Sequence, residues 1–120
     1  MKIAIPLSGK GQDSAVAASF GRAAYFLIHD DATGLETILG NAAMQSAGGA
    51  GIQAAQAIVD SGAQALITPQ CGNNAAKVLI AAGIKLYKSR PDLCARGNVG
   101  AFREKQLEEL LDIHEGFHGR

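Results

Sequence analysis

The chain has 120 residues, which suits one domain with a single hydrophobic core but not two. Its 11 basic and 11 acidic side chains give no net charge, so the basic surplus of a nucleic-acid-binding surface is missing. Hydrophobic residues make up 48 % of the chain and aromatic residues only 5 %, which favours small side chains packed between helices and a sheet, and no apolar run is long enough to span a bilayer.

The N-terminal sequence Met-Lys-Ile-Ala-Ile-Pro is too short for a signal peptide and is already typical of a β-strand. We therefore expect the protein to reside in the cytoplasm. Cys71 and Cys94 are then expected to be thiols rather than partners in a disulfide.

The first half of the chain predicts three strands joined as a meander. After the first strand, a polar turn spans residues 7–13, and the alanine-rich residues 14–19 favour one helical turn. The Asp-Asp-Ala-Thr-Gly sequence at 30–34 is typical of a hairpin connection, so the strands on either side of it should be antiparallel. The predicted strands are residues 2–6, 24–29 and 35–39.

The second half predicts alternating helices and strands. One helix follows a glycine-rich stretch and is expected to end at Gly62, because glycine is the usual residue after a helix. Apolar residues recur along it at helical spacing, namely Ile52, Ala55, Ile58 and Val59. The wholly apolar residues 65–68 predict a strand buried on both faces.

A second helix is expected to begin at a cap formed by Asn73 or Asn74 and to end at Gly83. It carries Val78, Leu79 and Ala82. Residues 84–87 form the last predicted strand, and Asn98 is predicted to cap a final helix that runs through Phe102. Two courses remain open beyond it: a break near Lys105, or continued helix along Leu107, Leu110 and Leu111.

A meander followed by strand–helix alternation predicts an α/β domain with a five-stranded mixed sheet. Right-handed crossovers make strands one, four and five parallel, and the meander makes strand three run in the same direction. The loops that follow these four strands should therefore open at one edge of the sheet. Ligands of open α/β sheets bind beyond the carboxyl ends of strands, so this edge is the expected site.

The loop after the third strand contains a glycine-rich sequence, Asn-Ala-Ala-Met-Gln-Ser-Ala-Gly-Gly-Ala-Gly-Ile-Gln at 41–53, hereafter the glycine stretch. Gly48, Gly49 and Gly51 allow another group to approach the main chain closely at the start of a helix, where amide hydrogens and the helix dipole favour an anion. A tight connection without a ligand remains the alternative. The stretch matches neither a Walker loop nor a dinucleotide-binding fingerprint.

Four segments of the chain together carry a family resemblance: Met-Lys-Ile-Ala-Ile-Pro at 1–6, Phe-Gly-Arg-Ala at 20–23 with Phe-Leu-Ile at 26–28, Gly-Gly-Ala-Gly-Ile at 48–52, and Ala-Ala-Gly-Ile-Lys-Leu-Tyr at 81–87. In their order and spacing they resemble the dinitrogenase iron–molybdenum cofactor biosynthesis family of NifX, NafY and NifB C-terminal-type domains, and most of all its orange-protein branch. The resemblance implies a ribonuclease H-like three-layer fold. It covers residues 1–107 as one cofactor-binding domain and leaves 108–120 as a C-terminal helical extension and tail.

The resemblance also implies non-covalent carriage of a metal–sulfur cluster, of molybdenum–copper or iron–molybdenum type, or of a thiomolybdate precursor, rather than enzymatic turnover. Such anions suit the amides of a glycine-rich turn with a cation nearby. The candidate cofactor-binding residues are Lys10, Arg22, Met44, Ser46, Gly48, Gly49, Ala50, Gly51 and Asn73. Met44 lies in the region where some family members carry a histidine, and its thioether suits Cu(I).

Cys71 is the candidate metal ligand. It precedes a predicted helix start, where the dipole lowers the pKa of an exposed thiol, and a thiolate prefers soft metals. The alternative role is that of a small buried hydrophobe. Cys94 is interpreted as an incidental thiol.

His114 and His118 form a zinc-protease-like His-Glu-x-x-His pattern, but it lies at the C-terminus and contains a glycine, so we expect weak metal binding at most. Nuclease chemistry would need clustered carboxylates, and the first strand offers none. Three hypotheses remain: a cluster carrier, a module that binds a phosphate-bearing ligand, and a regulatory scaffold that contacts a partner protein. A carrier implies an acceptor protein, and the chain is expected to be a monomer or a weak dimer.

Overall fold

The computed structural model describes residues 1–9, 14–41 and 50–110, and the structural statements below concern these residues. The strands are β1 (Lys2–Leu7), β2 (Tyr25–Asp30), β3 (Glu36–Gly40), β4 (Ala65–Thr68) and β5 (Lys85–Lys88). The helices are α1 (Ala50–Asp60), α2 (Asn73–Ala81) and α3 (Ala95–Arg103). None of the helices among these residues is long and apolar enough to cross a membrane.

The strands form one mixed sheet in the order β3-β2-β1-β4-β5. β1 lies at the centre, antiparallel to β2 and parallel to β4, while β2 pairs with β3 antiparallel and β4 with β5 parallel. The predicted sheet and strand directions are confirmed. Each predicted strand end lies within one residue of the observed one, because apolar runs between turn residues mark these strands clearly.

Helices cover both faces of the sheet and give three layers. α1 and α2 pack on one face, where Phe26 and Leu66 of the sheet join Ile58 and Leu79 in a buried cluster. α3 covers the other face, where Ala95 and Val99 pack on apolar residues that alternate along the strands with those of the first face. The sheet residues of this second cluster are Ile3, Ile5, Leu7, Leu27, Ala65 and Ile67.

Two predicted helix ends are confirmed by backbone geometry. Gly62 follows α1 with φ +85° and Gly83 follows α2 with φ +84°, both in the left-handed region that side-chain-bearing residues avoid. Of the apolar positions predicted at helical spacing on α1, Ala55 and Ile58 are buried, whereas Ile52 is 44 % exposed and the small Ala50 and Ala54 are buried as well. Alanines here allow α1 and α2 to pack closely.

The helical turn predicted for residues 14–19 is wrong. Val16 forms an antiparallel bridge with Leu7, and Ala15 forms one with Cys94. The amide of Ala17 donates to the carbonyl of Pro6 at 2.9 Å, so this segment folds back along β1. Six residues are too few for a stable isolated helix, and backbone pairing with β1 and Cys94 satisfies the same groups.

Asn98 does not cap the last helix, contrary to the prediction. α3 begins three residues earlier at Ala95, and Cys94 is the cap, with its Sγ accepting from the amide of Gly97 at 3.4 Å. Asn98 is fully buried inside the helix. Its Oδ1 accepts from the amide of Arg90 at 2.7 Å, and its Nδ2 donates to the carbonyls of Arg90, Leu93 and Cys94 at 3.0–3.3 Å. The side chain thus fixes the loop between β5 and α3.

Charged residues connect α3 to the β2–β3 hairpin. His29, 8 % exposed, donates from Nδ1 to Glu36 at 2.9 Å. Arg96 lies 3.6 Å from the other oxygen of Glu36, and Arg103 lies 3.0 Å from Asp31. These contacts hold both ends of α3 over the sheet.

Of the two courses left open after α3, the break is confirmed and the continued helix is wrong. Lys105 has φ +60°, which ends the helix. The following residues lie along the outer edge of β5, where the amide of Lys88 donates to the carbonyl of Glu108 at 2.8 Å and the amide of Leu110 to that of Leu86 at 3.0 Å. Residues 108–110 are therefore not helical, and residues 111–120 lie outside the described part. Covering β5 removes an exposed sheet edge.

We expect Asn98→Ala to lower the free energy of unfolding by roughly 1–3 kcal/mol, because the substitution at this fully buried position removes the side-chain partner of the Arg90 amide and of the Leu93 carbonyl. Urea denaturation measures the effect. Gln56→Ala is the control, since Gln56 is exposed and bonds only to Asp60 within the same helix. Equal stability of the two variants would contradict a structural role for Asn98.

Candidate functional site

Four strands end at one edge of the sheet, as predicted. β1, β3, β4 and β5 all run in the same direction, so their last residues lie at one edge of the sheet, hereafter the carboxyl edge. These last residues are Leu7, Gly40, Thr68 and Lys88. α1 and α2 both begin here, because each follows a strand that ends at this edge. Two helix N-termini therefore face the place where α/β sheets bind ligands.

The start of α1 is held against the segment between β1 and β2. A Cβ added at Gly21 would lie 3.1 Å from Cα and 3.2 Å from N of Gly51, so any larger residue here would require the start of α1 to shift by a few tenths of an ångström. Asn41, which directly precedes the part of the glycine stretch outside the described residues, is buried. Its Nδ2 donates to the carbonyl of Ala23 at 2.8 Å and to that of Gly21 at 3.3 Å. Both ends of the glycine stretch are thus fixed to the same segment.

The start of α2 lacks a side-chain cap, which corrects the prediction for Asn73 and Asn74. Gly72 occupies the cap position, and Asn73 is the first helical residue. The first turn contains no acidic side chain. Amide hydrogens at a helix N-terminus have no partner within the helix, so this end is suited to an external anion.

The N-termini of α1 and α2 lie side by side. A Cβ added at Gly51 would lie 3.5 Å from Cβ of Ala75, so the first turns of the two helices are in contact distance. Ala50 and Ala75 are both buried between these turns and the sheet. The two positive ends of the helix dipoles are therefore close to each other, which increases the attraction for negative charge.

Cys71 does not meet the condition attached to its predicted role. Its side chain is 1 % exposed and belongs to the cluster under α1 and α2. Burial raises the pKa of the thiol to about 11, in contrast to the lowered pKa expected for an exposed thiol. The structure favours the packing role for Cys71 over a thiolate ligand.

Cys94, interpreted from the sequence as incidental, has a structural role as the cap of α3. It is a partly exposed thiol. Little in the sequence indicates this role, because cysteine is an uncommon cap. Asn41 was missed in the same way, although an asparagine directly after an apolar strand is a recognisable signal of a side chain that bonds to the backbone.

The structure therefore places some of the predicted site residues together and does not describe the others. Ala50, Gly51 and Asn73 lie at the two helix starts, and Arg22 is exposed next to Gly21. The remaining candidates, Lys10, Met44, Ser46, Gly48, Gly49, His114 and His118, lie outside the described residues. Within the described part, no group of three or more His, Cys, Asp or Glu side chains could hold a metal ion.

The order of the elements and the paired helix starts define a three-layer α/β domain whose candidate site lies at the carboxyl edge of a mixed sheet. The family model for dinitrogenase iron-molybdenum cofactor proteins matches residues 1–105, and the chain belongs to this family. The family resemblance predicted from the sequence is thus confirmed.

Two solved structures are similar over nearly the whole chain. The apo form of the orange protein from Desulfovibrio gigas has 38 % sequence identity and a TM-score of 0.87, with 92 % of each chain covered. A putative NifB protein from Thermotoga has 34 % identity and a TM-score of 0.81, with 99 % of this chain and 97 % of that chain covered. A comparison with curated proteins gave no match.

We expect Gly21→Ala to displace the start of α1 and to lower the free energy of unfolding by about 1–3 kcal/mol, because its Cβ would meet backbone atoms of Gly51 that cannot rotate away. Thermal or urea denaturation measures this loss. Gly40→Ala is the matched control, since a Cβ there meets nothing within 4 Å. A Gly21→Ala variant as stable as the control would show that the contact is not needed.

We expect iodoacetamide at pH 8 to modify Cys94 in the folded protein and Cys71 only after unfolding, because Cys71 is buried and its pKa is raised to about 11. Mass spectrometry of Cys94→Ser and Cys71→Ser distinguishes the two thiols. The folded-state pKa lies above the ordinary value of 9.0, so the stability contributed by neutral Cys71 is complete below pH 9 and is lost as the pH rises towards 11. Rapid modification of Cys71 in the folded protein would contradict its burial.

Proposed function

We propose that the protein binds a metal–sulfur cluster or a thiometalate precursor as a non-covalent cargo at the carboxyl edge of the sheet. The observation that carries the proposal is the pair of adjacent helix N-termini, of which that of α2 has no side-chain cap and no acidic residue in its first turn. Membership of the dinitrogenase iron-molybdenum cofactor family and the similarity to an orange protein support the same cargo class.

Thiometalates and metal–sulfur clusters are anions whose charge is spread over polarizable sulfur atoms. Backbone amides can hold such anions without supplying a covalent ligand, and two aligned helix dipoles add to the attraction. The amides of Gly48, Gly49, Ala50, Gly51 and Asn73 are proposed as donors. Lys10 and Arg22 are proposed to supply positive charge, and Ser46 and Met44 to complete the contact surface.

The protein's own donor atoms fit a cluster that brings its own sulfide. Cys71 is buried with its pKa raised to about 11, so at neutral pH it offers a thiol and not a thiolate. A bare metal ion would need several protein ligands, whereas a preformed sulfide-bearing anion needs hydrogen-bond donors and positive charge. Carriage rather than catalysis follows from this donor set, and it requires an acceptor protein for the cargo.

A phosphate-bearing ligand is the second candidate, because phosphate uses the same amide donors at a helix N-terminus. The two candidate ligands differ in their surface atoms, which are soft sulfur in one and hard oxygen in the other, and in whether they are coloured. Thiomolybdates and molybdenum–copper sulfide clusters absorb visible light, whereas phosphate esters do not. Competition between tetrathiomolybdate and inorganic phosphate therefore decides between them.

We expect Asn73→Asp to weaken tetrathiomolybdate binding by about threefold to tenfold while leaving the fold intact or slightly stabilised. A carboxylate in the first turn of α2 interacts favourably with the helix dipole, worth about 0.3–1 kcal/mol, but repels an anionic ligand at the same place. Visible absorption of the protein-bound fraction after gel filtration, with and without Cu(I), measures binding, and thermal denaturation measures stability.

Gln64→Glu is the matched control for this experiment. It introduces the same change of charge on an exposed residue just before β4, at the opposite edge of the sheet. If both variants bind tetrathiomolybdate like the parent protein, the N-terminus of α2 is not part of the site. If inorganic phosphate displaces tetrathiomolybdate at equal concentration, the phosphate-binding function is favoured.

A further inference from the structure

A cavity of about 340 Å³ lies at the end of β5, on the side of the sheet that α3 covers. Val16, one of its lining residues, packs in the cluster under α3, whereas Cys71 and Ala75 belong to the cluster on the opposite face. The cavity and the N-termini of α1 and α2 thus lie at the same carboxyl edge, but towards opposite faces of the sheet. Its volume lies at the small end of the range for sites that bind small molecules.

Most of the cavity wall is apolar, and its polar residues are consecutive. Three neighbouring residues at the end of β5, Lys88, Ser89 and Arg90, supply the polar part. The apolar residues come from three separate segments of the chain and are Ala15, Val16, Ala18, Pro69, Pro91 and Leu93. A ligand that fills this cavity therefore has a mainly apolar body and a polar group at one end.

The charge of the polar end is positive. The side chain of Lys88 makes no ion pair with any residue that the structure describes. Arg90 is paired with Asp92 through two contacts, at 3.1 and 3.3 Å, so its charge is largely balanced. Lys88 is therefore a positive side chain of the cavity that no described carboxylate pairs with, and a ligand with a single negative charge matches it.

Ser89 adds a hydrogen-bonding group that the fold does not use. The residue is 5 % exposed, and its amide donates to the carbonyl of Thr68 at 3.1 Å. Within the described residues its hydroxyl has no hydrogen-bond partner and is not fully enclosed, so it opens to the cavity. Hydrogen bonds from the Asn98 side chain fix the backbone of Arg90 and Leu93. This wall of the cavity is therefore already formed without a ligand.

We infer that this cavity binds a small organic monoanion with an apolar body, such as an aromatic carboxylate or sulfonate. The acidic group accepts hydrogen bonds from Lys88 and from the hydroxyl of Ser89, and the apolar body lies against Val16, Pro69 and Leu93. An inorganic oxyanion would leave the apolar wall in contact with water. The site is independent of the cluster site proposed above, and neither depends on the other.

The test uses 8-anilinonaphthalene-1-sulfonate as the probe and fluorescence titration of the folded protein as the measurement. We expect Lys88→Gln to weaken binding by about threefold to tenfold, because the substitution removes the unpaired charge. Ala18→Phe should abolish binding, since Ala18 is exposed at the mouth and a phenyl ring there fills the cavity without entering the core. Amide resonances of Val16, Ser89 and Leu93 should shift on titration.

Lys85→Gln is the matched control, because Lys85 is exposed at the other end of the same strand. It should bind the probe within twofold of the parent protein. Uncharged N-phenyl-1-naphthylamine should bind more weakly than the sulfonate, and sodium sulfate at matched ionic strength should not displace it. Equal effects of Lys88→Gln and Lys85→Gln, resonance shifts confined to other residues, or displacement by sulfate would each overturn the inference.

Discussion

The pairing of β1 with strands of opposite direction on its two sides determines the rest of the structure. β1 pairs antiparallel with β2 and parallel with β4, and five of its six residues are buried. An apolar strand in this position must be covered on both faces, so α1 and α2 pack on one face and α3 on the other. The same directions bring four strand ends and the starts of the three described helices to one edge. The location of both proposed ligand sites is therefore a consequence of how β1 is paired.

Small residues make the carboxyl edge suitable for an anion. Gly21 and Gly51 let two backbone segments come so close that a Cβ added at Gly21 would lie 3.1 Å from Cα of Gly51. Buried alanines fill the space between α1 and α2. The amides at the helix starts thus lie near one another. Cys71, in contrast, lies below this surface, where burial keeps the thiol neutral. Among the described residues, the proposed site offers hydrogen-bond donors rather than a thiolate ligand, which is what the proposed carriage of an intact cargo requires.

Polar side chains in this fold mainly fix connections. Asn98 forms hydrogen bonds with backbone groups of the loop between β5 and α3, and Asn41 fixes the entry to the glycine stretch. The contacts around Glu36 hold α3 on the β2–β3 hairpin. Asn41 and Glu36 reach partners far away in the sequence, whereas the partners of Asn98 lie four to eight residues away. The loop that Asn98 fixes forms one wall of the cavity on the α3 side, so the same asparagine also supports the ligand site proposed there.

Local patterns in the sequence were enough to predict the five strands, their directions, two glycine helix ends and the family, because apolar runs, turn residues and ordered motifs can be recognised without knowledge of distant contacts. They also indicated the carboxyl edge, since strand direction follows from element order. The burial of Cys71, the interior position of Asn98 and the extended course of residues 14–19 became clear only from the folded chain. The outcomes for Cys71 and for residues 14–19 depend on partners brought from distant parts of the chain, whereas that for Asn98 depends on how the nearby loop of residues 90–94 folds back onto the helix. A thiol before a helix has a lowered pKa in water and a raised one in a core, and only the packing around it determines which applies.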